Sequence, residues 1–180
     1  MSHSTISREV KGSRAKREII PSHVVIEHRP AIVNKKKRFG EWEADTVLDK
    51  QGTGAIVSLV ERKSKLVLIR KAPAKTATDI ARAMIGMLWK YRGHVHTINT
   101  DNGSEFCMHE AVADKLKTDI YFANPYSSWE RGLNENFYGL LCQYIHKGTD
   151  LRTVTDKQIV DIERASNARP RKCLGFKQPA

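Results

Sequence analysis

Along the chain the apolar and polar positions first fall into a regular rhythm at Trp42. From Trp42 to Leu48 they alternate in the manner of a strand, and Gly52-Thr53-Gly54 reads as a turn. Two short apolar runs follow, Ala55 to Val60 and Leu66 to Ile69, split by Glu61-Arg62-Lys63-Ser64-Lys65. Three strands joined by short turns predict an antiparallel meander. The period then lengthens: Ala77, Ile80, Ala81, Met84 and Leu88 form a helical stripe, with Thr76 and Asp79 as a capping box and Gly93 as the expected stop. Val95 to Thr100 predicts a fourth strand running into Asp101-Asn102-Gly103. Phe106, His109, Ala113 and Leu116 predict a second helix with Glu105 as its cap, and Ile120 to Ala123 a fifth strand. Pro125 breaks the chain before a third helix, opened by the box Ser127-x-x-Glu130 and striped by Leu133, Phe137, Leu140, Leu141 and Tyr144. A last helix is expected from Thr155 to about Ala165. The order β-β-β-α-β-α-β-α, then α, predicts an α/β protein with a mixed five-stranded sheet flanked by helices.

Charge divides this pattern into three. Residues 1–38 hold ten Lys/Arg against three Asp/Glu, and residues 152–180 hold seven against three. The intervening residues, 39–151, hold fourteen of each. A neutral body with two basic ends suits a nucleic-acid-binding enzyme, and equally a soluble protein with basic tails. The expected division is a basic N-terminal region (1–38), a core (39–151) and a basic C-terminal helix and tail (152–180). Lys35, Lys36, Lys37 and Arg38 read as a linker or a phosphate-contacting arm. With 40% hydrophobic and 28% charged residues, the 180-residue chain has the mix of a globular domain rather than a disordered one. No apolar run reaches the roughly 18–20 residues of a membrane span, and no apolar stretch follows a basic one at the start. Cys107, Cys142 and Cys173 form no Cys-x-x-Cys pair, which argues against a zinc knuckle or a disulfide framework and fits a reducing cytoplasm.

Three carboxylates stand where chemistry can use them. Asp45 lies inside the first strand, where Asp is disfavoured. Asp101 ends the fourth strand, the end at which open α/β sheets bind ligands. Glu135 lies early in the third helix, with 33 residues between it and Asp101. Hard divalent cations take oxygen ligands, and two-metal phosphoryl transfer needs several carboxylates close together. Each residue also has an ordinary reading: an edge-strand Asp facing solvent, a turn Asp in Asp-Asn-Gly, and a solvated helix Glu. Spacing alone does not choose between these.

The surrounding residues do. Trp42-Glu43-Ala44-Asp45-Thr46, Thr100-Asp101-Asn102-Gly103-Ser104-Glu105-Phe106 and the run from Asn124-Pro125-Tyr126-Ser127-Ser128-Trp129-Glu130-Arg131-Gly132 to Leu133-Asn134-Glu135-Asn136 resemble the core of DDE transposases and retroviral-type integrases. The closer resemblance is to the IS-thirty insertion-sequence family. Lys147-Gly148-Thr149-Asp150-Leu151 and Asn167-Ala168-Arg169-Pro170-Arg171-Lys172 are similar to its trailing motifs, and the likeness covers roughly residues 28–178. The resemblance implies a ribonuclease H-like fold, with Asp45, Asp101 and Glu135 as the catalytic, metal-binding carboxylates for Mg²⁺ or Mn²⁺, two ions in all. It implies cleavage of double-stranded DNA at element ends and joining of the freed 3′-hydroxyl to target DNA. It also implies a homo-multimer in the bacterial cytosol or nucleoid, with no membrane partner.

Other residues are weighed beside these. Arg131, one turn before Glu135, is expected to pair with it or to touch a phosphate; Arg169, Arg171 and Lys172 extend the basic surface. Gly139 in mid-helix suggests close approach of another backbone or of DNA. His94 and His96 share a strand face, as a chelating or a solvent-facing pair. Ser2 to Glu9 resembles the recognition helix of the family's helix-turn-helix module standing without its partner helix, so residues 1–28 are expected to be a remnant and the chain N-terminally truncated. The alternatives to a transposase core are a catalytically silent fragment that binds DNA or a full-length transposase, and a nuclease of the same fold that only hydrolyses.

Overall fold

The computed structural model describes residues 20, 22–48, 54–124, 132–146 and 148–179. Residues 1–19, the Ser127-x-x-Glu130 box, Arg131 and Lys147 lie outside the described residues, and so does the recognition-helix likeness. Among the described residues, the strands are β1 (Val24–Val25), β2 (Glu41–Leu48), β3 (Ala55–Glu61), β4 (Val67–Ala72), β5 (Thr97–Thr100) and β6 (Asp119–Phe122). The helices are α1 (Ala31–Asn34), α2 (Ala77–Leu88), α3 (His109–Leu116), α4 (Gly132–Leu141) and α5 (Asp156–Ala168).

The sheet runs in the order β1-β6-β5-β2-β3-β4. The meander β2-β3-β4 is antiparallel, as its short turns require, while β5 is parallel to β2 and β6 parallel to β5. A sixth strand is added to the five expected. β1 has only two residues, too few to show alternation, and takes its geometry from pairing with β6.

Strand alternation splits the core into two layers. Trp42, Ala44, Val57, Leu59 and Leu68 face α2 and α3, packing with Ile80, Met84, Leu88, Val112 and Leu116. Ile56, Val60, Val67 and Ile69 face the other way, against Phe137 and Leu141 of α4 and Ile159 and Ile162 of α5. The acidic odd positions of β2, Glu41, Glu43 and Asp45, therefore belong to the α4–α5 side.

Local chemistry sets the boundaries. Thr76 caps α2 by accepting the Asp79 amide at 3.2 Å. That helix ends at Leu88 and tightens into a 3₁₀ turn over Trp89–Tyr91, before the expected stop at Gly93. Phe106 belongs to a separate 3₁₀ turn, Ser104–Phe106, rather than to α3. α4 ends at Leu141, which leaves Tyr144 exposed instead of on the buried stripe. At Gly139 no other backbone approaches, since a Cβ there would meet nothing within 4 Å among the described residues. At Gly40 the glycine is required: φ is +103°, and a Cβ would come within 1.7 Å of the His94 carbonyl oxygen.

The basic C-terminal segment packs on the core. Asn167 accepts from the Val67 amide at 2.9 Å and donates to the Val67 carbonyl at 2.8 Å, and Glu163 accepts from the Ile69 amide at 2.7 Å. These side chains satisfy the outer edge of β4, which would otherwise present unpaired backbone groups. α5 is held at its start by a full capping box between Thr155 and Gln158. Among the described residues, no helix is long and apolar enough to cross a membrane.

Candidate active site

The site starts from strand register. β2 and β5 pair in parallel with Glu41 beside Thr97, Trp42 beside Ile98 and Glu43 beside Asn99. The paired stretch stops there; Asp45 lies two residues further along β2, and Asp101 two residues beyond Asn99, just past the end of β5. Asp45 is half-buried, and its Oδ1 accepts from the Thr46 amide at 3.0 Å. Asp101 is also half-buried, and its Oδ1 accepts from the Gly103 amide at 2.9 Å. That bond is the Asx turn which the Asp-Asn-Gly sequence predicts.

Glu105 binds the two strand ends together. Rather than capping α3, it is buried, accepts from Thr46 Oγ1 at 2.7 Å and pairs with Lys75 at 2.8 Å. It folds back over Gly103, where a Cβ would come within 2.2 Å of its Oε2.

The third carboxylate comes from α4, which packs on β2 and β3. Past Glu43 the β2–β5 ladder ends, and the Ala44 carbonyl accepts instead from Asn134 Nδ2 at 3.1 Å. Glu135 follows directly in the first turn of α4 and is exposed. Tyr138, one turn on, reaches the same place electrostatically. Its phenol is raised above the ordinary value, chiefly by hydrogen bonding with Cys142, then by burial, with a smaller push from the Asp45 charge. Among the described residues, no three His, Cys, Asp or Glu side chains are gathered closely enough to share a metal ion. The fold thus carries one carboxylate within β2, one just past the end of β5 and a third on the helix that packs on β2. All three are oxygen donors, the set that suits a hard divalent cation.

A second acidic group sits at the other end of β2. Glu41 accepts from Arg38 Nε at 2.7 Å and from the Thr97 hydroxyl. Glu61 accepts from the amides of Gly40, Lys63 and Ser64 at 3.0, 2.9 and 2.6 Å. Glu43 is paired with Arg62; burial raises its pKa, and Arg62 opposes that rise. Sequence reading did not single out Glu43, Arg62 or Asn134. The available signal was parity, since Glu43 and Asp45 are two apart on one strand and share a face.

The basic candidates differ among themselves. Lys35, Lys36 and Lys37 are exposed, whereas Arg38 is engaged with buried Glu41. Arg169 donates to Gln143 at 3.2 Å, half-buried Arg171 donates to the Ser166 carbonyl at 3.0 Å, and Lys172 is exposed. His94 is exposed and His96 half-buried, both ahead of β5 rather than on it.

A mixed sheet of this order, layered between helices, is a ribonuclease H-like architecture. The catalytic core domain of BIV integrase superposes with a TM-score of 0.60 at 21% identity, covering 78% of this chain and 90% of that one. The integrase core domain family matches residues 35–128, a span that contains Asp45 and Asp101 and ends before Glu135. The chain belongs to that family. It is 48% identical over 170 residues to the transposase for insertion sequence element IS4351 of Bacteroides fragilis, covering 94% of this chain and 52% of that protein. It is 30% identical over 170 residues to transposase InsI for insertion sequence element IS30C of Escherichia coli K12, covering 94% and 44%. These relatives agree with the IS-thirty resemblance of its motifs, and the chain spans about half their length.

Proposed function

We propose that the chain is the catalytic core of a DDE transposase, acting on double-stranded DNA at Asp45, Asp101 and Glu135. What supports this is the β2–β5 pairing, from Glu41 beside Thr97 to Glu43 beside Asn99, beyond which both strands continue in the same direction to Asp45 and to Asp101. Asp45 and Asp101 would hold a divalent cation, Mg²⁺ or Mn²⁺, and Glu135 would complete the set from α4. Two such ions, when bound, activate the attacking oxygen and stabilise the departing 3′-oxygen of a phosphodiester. The chain's own residues orient the carboxylates: Gly103 fixes Asp101, Thr46 and Glu105 tie the two strand ends together, and Asn134 sets the helix that bears Glu135. Water as nucleophile cleaves an element end, and the resulting 3′-hydroxyl then joins it to target DNA. Lys35, Lys36, Lys37, Arg131, Arg169, Arg171 and Lys172 are proposed phosphate contacts, with Arg38 contributing through the half-exposed side of its ion pair. Two element ends are handled together in this reading, which calls for a multimer.

The test incubates the protein with Mn²⁺ or Mg²⁺ and duplexes carrying the matching element ends, and resolves nicked and joined products. Asp45→Asn, Asp101→Asn and Glu135→Gln should each reduce product at least about 100-fold. Their thermal midpoints should stay near the parent's, because the three side chains are half-buried or exposed. A triple variant as active as the parent would sink the site assignment, and nicking without joining would point to a hydrolysis-only nuclease.

A further inference from the structure

β5 ends at Thr100, the residue before Asp101, and Thr100 pairs in register with Phe122 of β6. His109, the first residue of α3, stands edge-on to the Phe122 ring, with centroids 5.0 Å apart and planes at 88°. It is 8% exposed, Thr100 is fully buried, and neither has a part in the chemistry just described. Among the described residues, both ring nitrogens of His109 and the Thr100 hydroxyl are buried without a hydrogen-bond partner. Unpaired polar atoms in the interior are costly, and a buried water is their usual partner. Thr100 and His109 line one small cavity, together with Glu105 and the apolar side chains of Met84, Phe106 and Ile120. It leaves about 10 Å³ for the centre of a water-sized sphere, close to the least that one water needs and too little for a larger ligand. A neutral imidazole offers one donor and one acceptor and a hydroxyl offers both, so one water between them can bond to each.

We propose that this cavity binds one water molecule, held by His109 and Thr100, and that His109 acts through it as a positioning residue for the end of β5 that leads into Asp101. The Thr100 carbonyl is already fixed by the Ala123 amide at 2.8 Å. The water fixes the side chain of the same residue, so the chain entering Asp101 is held from two directions. α3 is thereby joined to the site by a polar link as well as by apolar packing. The positioning role rests on the proposed ligand role of Asp101, the water site does not, and the experiment separates the two.

The test uses the 180-residue chain and two variants. His109→Phe keeps a ring against Phe122 and removes both nitrogens, while His109→Gln retains a donor and an acceptor. A crystal structure of the parent that shows ordered water should contain one water within hydrogen-bond reach of both His109 and Thr100 Oγ1. Mn²⁺ affinity by calorimetry should fall on the order of 10-fold in His109→Phe, the usual effect of removing a group behind a metal ligand, and largely recover in His109→Gln. Amide exchange in His109→Phe should quicken at Asn102 and at Gly103, whose N–H holds Asp101, and stay unchanged in α5 on the opposite face of the sheet. If His109→Phe does not fold, Thr100→Val, which removes the hydroxyl at nearly constant shape, carries the same measurements. A well-ordered structure with no water between the two residues overturns the proposal. So does exchange that quickens uniformly through the protein, which marks a merely structural ring. Where Mn²⁺ binding depends on Asp101, affinity in His109→Phe within about twofold of the parent also overturns it. If Mn²⁺ binding proves independent of Asp45 and Asp101, the ligand reading fails by itself. The water, with exchange at Asn102 and Gly103, then decides for or against His109.

Discussion

β2 carries two kinds of acidic residue within five positions. Glu41 and Glu43 are buried with cationic partners, Arg38 and Arg62, and Glu61 across the hairpin is buried under main-chain amides. Asp45, within β2, and Asp101, just past β5, are half-buried and accept main-chain N–H groups from close along the chain, those of Thr46 and Gly103. The difference follows from cost. A carboxylate withdrawn fully from water must be matched by charge or by several donors, whereas one left partly exposed keeps solvent and can exchange it for a cation. Burial with a built-in partner marks a carboxylate that holds the fold, and partial exposure on the same sheet face marks one available to a ligand.

The strongest challenge to this contrast is Arg62→Met. It leaves Glu43 buried without its counter-charge, and removing one partner of such a pair typically costs about 3–5 kcal/mol. Against a total domain stability of about 5–15 kcal/mol this is a large loss, visible as a lower urea midpoint with an unchanged slope. A cost near that of an exposed substitution, under about 0.5 kcal/mol, would place Glu43 with the half-exposed group and dissolve the contrast.

Gly103→Ala probes the boundary between the groups, where buried Glu105 meets the loop of Asp101. The added Cβ would lie 2.2 Å from Glu105 Oε2 and 2.5 Å from its Cδ. Glu105 is pinned by Thr46 and Lys75 and has little room to yield. The expected cost is about 1–3 kcal/mol, the range for overpacking a tight site. DNA cleavage should fall further than stability does, because Gly103 also donates the amide that orients Asp101. A stable variant with full cleavage activity would mean that Glu105 moves freely and does not brace the two strand ends.

How much of this was legible in the sequence depended on range. The meander, α2 with its Thr76 cap and the strand leading to Asp101 follow from local periodicity and turn residues, and the structure keeps all of them. Asp45, Asp101 and Glu135 were marked by their motifs rather than by pattern, since each also has a plain structural reading. What escaped was non-local. β1 exists because β6 offers an edge, and Glu105 left its capping role because Thr46, 59 residues away, donates to it. The link from Ala44 to Asn134 spans 90 residues, and no local periodicity encodes a contact of that range.

Asp150 gives the finest division, because it is solvated like the candidate ligands and paired with a cation like Glu41 and Glu43. Its oxygens accept from the Arg152 amide at 2.9 Å, from Nε at 2.9 and 3.1 Å and from Nη2 at 2.7 Å. The hydrogen bonds from the Arg152 side chain, then that from its amide, lower the Asp150 pKa from 3.8 to about 2. A carboxyl depressed by folding binds its proton more readily in the unfolded chain. Its contribution is therefore complete above pH 3.8 and disappears as pH falls through about 2. Carboxyl carbon shifts followed by NMR should show this midpoint in the parent, and Arg152→Met should bring it back toward 3.8. The stability gap between the two proteins should be small, since the pair is exposed to water, and should close in the same acid range. If Arg152→Met leaves the midpoint low, the turn amide alone holds the charge. A cation would then not be what holds the Asp150 charge, while cations still match buried Glu41 and Glu43, and the contrast with β2 would be sharper than drawn.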